Sequence, residues 1–290
     1  MPRLTIITPL YNRREYLERI YASLFMQTNK DFQWLVIDDG SHEPSYDIFE
    51  AFVASADFEI EYYYKENGGK HTALNYSHEY IKGEYVLILD SDDYLTTDAV
   101  ETVLSEWDKY KNDEAVAIVS LLKTYPDGKA IAKYPRECVS DHISFRINGG
   151  INGDCCETVR SDVFKSFSFP VFEGEKFLDE MHLWYGIGSK YKSSYVNRAV
   201  YVAEYLEDGL SNNVKRLYMK NPKGSMHSQI VALCCNINFK NRVKRALLLN
   251  MYGKAAGKSF GEVMKASPRR FLTFATYLPS LLLYKKRKKK

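Results

Sequence analysis

Asp90, Ser91, Asp92 and Asp93 put three carboxylates within four residues, directly after the apolar run of residues 85–89. Carboxylates this close repel one another, so the arrangement is costly unless a cation or hydrogen-bond donors offset it. A hard divalent ion with oxygen ligands, Mn2+ or Mg2+, is the natural partner, bridging to phosphate groups. The plain alternative is a turn that caps a helix, where Asp is common. Asp38, Asp39, Gly40 and Ser41 follow the apolar run 32–37 and carry the same ambiguity: an ordinary D-G turn, or a carboxylate that accepts hydrogen bonds from a nucleobase or a ribose. Thr8 closes the run 4–8 and is followed by Pro9, Leu10, Tyr11 and Asn12, whose Tyr11 ring is suited to stacking on such a base. After the run 58–64 come Glu66, Asn67, Gly68, Gly69, Lys70 and His71. Gly68-Gly69-Lys70 opening a helix offers backbone N–H groups and a cation to a diphosphate, although the G-x-x-x-x-G-K-[ST] pattern is absent. A glycine-rich turn with a solvated lysine is the competing reading, and His71 is read as structural.

Each motif ends a short run of strand length, and helical spacing lies between the runs. Tyr16, Leu17, Ile20, Tyr21, Leu24 and Phe25 recur at helical intervals across residues 14–27. Residues 70–80 and 98–110 read as further helices, and 115–122 as a fifth strand. Alternation of this kind predicts an α/β fold with a mostly parallel sheet. In such a sheet the carboxyl ends of the strands share one edge, where ligands bind. Four motifs far apart in the chain thus meet on one rim, which says more than any of them alone.

The chain of 290 residues is 45% apolar and 27% charged, ordinary globular usage that excludes disorder, collagen and coiled coil. Aromatics reach 14%, with 23 Tyr, more than a core alone needs. Five cysteines with no C-x-x-C, and no leader-like start at Met1, lead us to expect a reduced cytosolic protein. Charge divides unevenly. Residues 1–213 carry 21 basic and 36 acidic side chains, whereas residues 214–290 carry 19 basic ones and the single acid Glu262. We therefore expect a domain over 1–213, with a nucleotide-binding half at 1–122 and a less regular acceptor half at 123–213, followed by a helical basic region at 214–290. Short helical pieces are expected at 161–167 and 179–185, then helices at 226–235 and 243–251 with a break at Pro268.

The string from Leu4 to Asp93 resembles the nucleotide-binding half of a family 2 glycosyltransferase with the GT-A fold. The matching residues are Thr8 to Asn12, Ser23 with Gln27 and Thr28, Asp38 to Ser41, Asn67 to Gly69 with Asn75, Gly83 to Tyr85, and Asp90 to Asp93. One departure is Leu74, where many relatives carry Arg; Lys70 is expected to supply that charge. The resemblance implies an enzyme of the bacterial cell-surface polysaccharide type that inverts the anomeric centre. It assigns Pro9, Tyr11 and Asp39 to the base and ribose of a nucleoside diphosphate sugar, with UDP favoured. Thr8, Asn67, Gly69 and Lys70 complete the donor side, Asp90 and Ser91 lie near ribose and phosphates, and Asp92 or Asp93 takes Mn2+ or Mg2+. A carboxylate must accept the proton of the acceptor hydroxyl. Glu180 aligns with that base and Asp179 is the reserve. Asp154 and Glu157 resemble the acidic motif on the acceptor side, and the segment from Tyr205 to Ser211 is expected to close over the site.

A phosphatase of the haloacid dehalogenase type also places D-x-D after a strand, but it leaves Tyr11 and Asp38-Asp39 unused and meets Tyr94 where a small or hydroxyl residue is usual. A non-catalytic nucleotide-sugar-binding module fits the motifs equally well. Residues 271–284 lack any charge and run into six consecutive cations, so the stretch from Phe271 to Lys290 is expected to lie on an anionic membrane surface. A peripheral place on the cytoplasmic face, a glycan or lipid-linked acceptor and no nucleic-acid partner follow as expectations.

Overall fold

The computed structural model describes residues 1–204 and 210–288, with side chains omitted over 210–213. The expected closing segment therefore lies, over residues 205–209, outside the described residues. Two compact units emerge: one formed by Met1–Asp141, Ile151–Ser168 and Tyr191–Leu206, the other by His142–Gly150, Phe169–Lys190 and Glu207–Lys290.

The first unit is built on one mixed sheet. In chain order its strands are β1 (Leu4–Leu10), β2 (Phe32–Asp38), β3 (Glu59–Tyr64), β4 (Tyr85–Ile88), β5 (Tyr94–Leu95), β6 (Val116–Thr124), β7 (Cys138–Asp141), β8 (Cys155–Arg160) and β9 (Lys192–Val202). Their order is β3-β2-β1-β4-β8-β6-β9-β5, with β7 also on β9. The pairs β2–β3, β1–β2 and β1–β4 are parallel, so their carboxyl ends do share one edge. Strand β8 runs antiparallel between β4 and β6 and brings its amino end to that same edge. Helices α1 (Leu17–Phe25), α2 (Tyr46–Ser55), α3 (Lys70–Ser77), α4 (Ala99–Asp108) and α5 (Ser161–Lys165) flank the sheet.

Strands β1 and β2 are buried along their whole length, which explains their mostly apolar sequences, and the buried polar side chains among them, Thr5, Thr8, Gln33 and Asp38, are hydrogen-bonded. Leu17, Ile20 and Leu24 put the inner face of α1 into a core shared with Trp34, Phe49, Val103 and Trp107. Tyr21 stacks flat on Phe52, and Tyr85 on Trp107. Each of the five expected strands is present to within two residues; α2, β7, β8 and β9 are elements that the sequence reading leaves unassigned.

Pro9 decides where the sheet opens. The Leu89 N–H donates to the Ile7 carbonyl at 2.9 Å, and the next rung toward β4 would need an N–H from Pro9, which has none. The β1–β4 register ends at Ile7 and Ile88, while β1 stays paired with β2 to Leu10 and Asp38. The two central strands part just below the Asp90 motif.

The second unit is helical, with a π-helical turn at Ile143–Asn148 and α6 (Met181–Gly188), α7 (Leu210–Lys220), α8 (Pro222–Cys234), α9 (Phe239–Ala255), α10 (Phe260–Ala266), α11 (Arg270–Ala275) and α12 (Tyr277–Lys288). Its core gathers Met226, Leu233, Ala246, Leu249, Met251, Tyr252 and Val263. A capping box between Ser259 and Glu262 starts α10 and employs the one acid of the basic region.

Gly83 is fixed by contact. Its N–H donates to Thr5 Oγ1 at 2.9 Å, and a Cβ there would lie 2.5 Å from the Thr5 nitrogen. Gly83→Ala should therefore force β1 and β4 apart and cost about 1–3 kcal/mol, the usual range for overpacking. Urea unfolding should report this as a lower midpoint with an unchanged slope.

Candidate functional site

Asp39 stands where β2 ends and is buried. Its Oδ1 accepts from Lys65 Nζ at 2.6 Å and from Gly68 N at 3.0 Å; its Oδ2 accepts from Gly69 N at 2.6 Å and Asn67 Nδ2 at 3.0 Å. The turn amides that the sequence offers to a diphosphate are thus engaged by this carboxylate. Lys65 reaches on to Thr72 Oγ1 at 3.0 Å, so the loop is tied to the first turn of α3. Gly40, at φ +82°, lets the chain pass this loop; a Cβ there would lie 2.6 Å from Asn67 N. Asp38 accepts from Ser41 N at 2.7 Å and Tyr62 OH at 2.6 Å. The Thr8 hydroxyl is buried and accepts from the Trp34 indole at 3.0 Å.

Tyr11 is 44% exposed, with its ring centroid 6.3 Å from that of His42. Asn12 holds the strained turn beneath it, at φ +50°. Its N–H donates to Ser41 Oγ and its Oδ1 accepts from His42 N, each at 2.9 Å. An exposed ring on a pinned backbone is a ready stacking surface.

The second cluster lies beyond β4. Lys70 pairs with Asp90. Burial pushes the Asp90 carboxyl up, but Lys70 and Lys123 outweigh it and hold the group below its ordinary value. Asp92 is raised by burial and by the neighbouring Asp90 charge. Asp93 is buried and pushed up to about 7 by the same two causes, although Tyr201 OH donates to its Oδ2 at 2.7 Å and Glu204 N to its Oδ1 at 2.8 Å. Tyr201 OH also accepts from Asp90 N at 2.9 Å. Three carboxylates are therefore crowded and partly buried here, a strain that a divalent cation would relieve. Among the described residues, the Asp92 carboxylate meets no hydrogen-bond donor except its own backbone N–H. Oxygen donors of this kind suit Mn2+ or Mg2+. No three of His, Cys, Asp and Glu converge into a closed cage among the described residues.

Several contributors carry no motif. Lys123, at the end of β6, is pushed down by burial but held above its ordinary value by Asp90 and Asp93, and its Nζ sits 3.8 Å from the Tyr201 ring centroid. As a lone cation closing an apolar strand, it obeys the strand-end rule that exposed the other motifs. Arg19 of α1 pairs with Glu204, donates to the Asp92 carbonyl, and lies 5.3 Å from the rings of both Tyr16 and Tyr94. Asp154 is exposed and close enough to Lys123 to act on its charge, and half-buried Glu157 pairs with Ser120 in the ladder of β8 and β6.

Asp179 and Glu180 belong to the second unit. Asp179 accepts from Tyr218 OH at 2.6 Å and Ser228 Oγ at 2.9 Å, and burial raises its carboxyl despite both donors. Glu180 is the half-buried N-cap of α6.

A family profile described as Glycosyl transferase family 2 matches residues 5–173. The chain is 36% identical over 114 residues to Glycosyltransferase GlyA of Streptococcus pneumoniae serotype 4, covering 39% of this chain and 16% of GlyA. To the Minor teichoic acid biosynthesis protein GgaB of Bacillus subtilis it is 27% identical over 217 residues, covering 71% of this chain and 23% of GgaB. The chain thus spans less than a quarter of either relative. The S. aureus TarS 1–349 structure in complex with UDP-GlcNAc superposes with a TM-score of 0.69 at 16% identity, over 99% of this chain and 90% of that one. The mannosyltransferase PcManGT from Pyrobaculum calidifontis, in complex with GDP-Man and Mn2+, gives 0.60 at 17% identity, over 99% and 82%. These likenesses bear out the expected GT-A architecture.

Because every partner of the Asp39 carboxylate is a donor, Asp39→Asn must turn an NH2 group against one of them. Leaving the Lys65 ammonium unmatched in a buried site should cost about 3–5 kcal/mol. Adding Lys65→Met should recover part of this loss, and a double-mutant cycle by urea unfolding should show coupling between the two.

Proposed function

The chain belongs to glycosyl transferase family 2, and on that premise we propose that it moves a sugar from a nucleoside diphosphate sugar, UDP-linked, to a hydroxyl of a glycan or lipid-linked acceptor in bacterial cell-surface polysaccharide synthesis. One observation carries the reading: three partly buried carboxylates, Asp90, Asp92 and Asp93, gathered with Lys70 and Lys123 on the sheet edge that also presents Tyr11. The UDP-GlcNAc held by TarS and the teichoic acid role in GgaB's name support the choice of donor and product class. Family membership leaves the phosphatase reading without support.

In this proposal the Tyr11 ring stacks on the base at the mouth left by Pro9. Asp39 acts through the Asn67–Gly69 turn that it holds, and Asp90 and Ser91 face ribose and phosphates. Asp92 holds the divalent cation, since both oxygens of Asp93 already serve Tyr201 and Glu204. When bound, Mn2+ or Mg2+ supplies positive charge to the leaving diphosphate. Lys70 and Lys123 lend further cationic charge to the same region. The acceptor oxygen forms its bond to the anomeric carbon from the face opposite the departing nucleoside diphosphate, which leaves with the electron pair of the broken C–O bond, and the configuration inverts. A carboxylate takes the hydroxyl proton. We assign that to Glu180, because the Asp179 carboxylate is occupied by Tyr218 and Ser228. Asp154 and Glu157 are proposed to meet the acceptor. We further propose that residues 1–213 act as the transferase domain, with 214–290 holding it on the inner face of a membrane.

Two outcomes follow. Titration calorimetry should show UDP binding with Mn2+ that EDTA or Asp92→Asn weakens at least tenfold; undiminished affinity in EDTA would remove the metal from the scheme. Glu180→Gln should keep donor affinity and lose transfer by roughly 10²–10⁴, the usual worth of a general base. Asp179→Asn should mainly lower the melting temperature, and a dead but stably folded Asp179→Asn beside an active Glu180→Gln would reverse the two roles.

A further inference from the structure

The basic end of the chain is folded through residue 288, and among the described residues one of its faces is largely exposed. Leu272, Leu283 and Tyr284 pack against the core of the second unit. Asn250 Nδ2 donates to the Thr273 carbonyl at 2.7 Å and to Thr276 Oγ1 at 3.2 Å, pinning the corner between α11 and α12. Pro279 falls in the first turn of α12, where a missing N–H costs nothing. The opposite side carries Phe271, Phe274, Leu278 and Leu282, which are 81%, 66%, 72% and 72% exposed. Their spacing of three, four and four residues draws one apolar stripe along both helices. Beside it runs a groove of about 660 Å³, lined by Tyr277, Leu281 and Leu282 together with Lys254 and Lys285.

Charge selects the occupant. Lys285, Lys286 and Lys288 follow the stripe, while Arg287 is turned inward onto Tyr252. The only acid in residues 214–290, Glu262, is already paired with Lys258. Two copies meeting on this face would bring clusters of like charge together, and a nucleic acid offers nothing to four aliphatic and phenyl side chains. No helix among the described residues is long and apolar enough to cross a bilayer. We propose that this face lies on an anionic phospholipid surface, with Phe271, Phe274, Leu278 and Leu282 entering the acyl region, Lys285, Lys286 and Lys288 meeting lipid phosphates, and the groove taking an acyl chain. This gives the peripheral reading above a definite surface. It rests on the second unit alone, so lipid binding and sugar transfer can fail separately.

The test is co-sedimentation of the whole chain with phosphatidylcholine vesicles, with and without phosphatidylglycerol. The wild type should pellet with anionic vesicles and be released by salt. Leu278→Asp with Leu282→Asp, and separately Lys285→Gln with Lys286→Gln and Lys288→Gln, should each reduce partitioning at least tenfold, with melting temperature and Mn2+-dependent UDP-sugar hydrolysis in solution unchanged. Indifference of the wild type to vesicle charge, or variants that pellet as the wild type does, would overturn the proposal. So would light scattering that shows a dimer which the aspartates dissolve, since the face would then be a contact between copies.

Discussion

A carboxylate with four donors turned on it cannot be moved without moving all of them. Asp39 is that group: Lys65, Asn67, Gly68 and Gly69 all point at its two oxygens. The interaction joins the end of β2 to the loop before α3, and so fixes where α3 begins and where Lys70 projects. Lys70 in turn meets Asp90. The chain of dependence thus runs from a buried ion pair to the charge state of the motif after β4. Desolvating Asp39 and Lys65 is costly, and the backbone amides offset this where one cation alone would not.

At the Asp90 motif the balance tips the other way. Two lysines face three carboxylates, and burial, reinforced by the Asp90 charge, displaces the two acids farther along the motif upward. Tyr201 and Glu204 steady Asp93 without neutralising it. Asp39, ringed by donors, and Asp92, which meets only its own backbone N–H among the described residues, thus stand in contrast on one rim. Arg19 grips the Asp92 carbonyl and the Glu204 side chain from α1.

How much of this was legible varied with sequence distance. The strands β1, β2 and β4 announce themselves because both faces are covered and their apolar runs need no partner to be recognised, whereas β3, at the end of the sheet, is only partly buried and is read from its β-branched and aromatic residues. Helix α2 was legible too, since Ile48, Phe49 and Phe52 recur at helical spacing, yet it is easily passed over between two strands. Strands β8 and β9 hid better: CCETVR and KSSYVNRAVYV mix polar and apolar residues, and their strand character comes from partners far along the chain. With β9 unread, Tyr201 and Glu204 were out of reach as partners of Asp93. The motifs themselves identified the edge correctly, but sequence could not tell that the Gly68 and Gly69 amides serve Asp39, because a loop's hydrogen-bond partner is a tertiary fact.

Pro9 has a consequence of a different kind. The gap between β1 and β4 follows from a covalent feature of one residue, the tertiary amide that cannot donate, so it does not wait on an incoming molecule to pry the strands apart. Under the proposed function, a crevice of that origin would be set before the donor arrives, with little backbone ordering left to oppose binding. An imino acid in mid-sheet, usually a liability, thus becomes the residue that ends the pairing of β1 with β4.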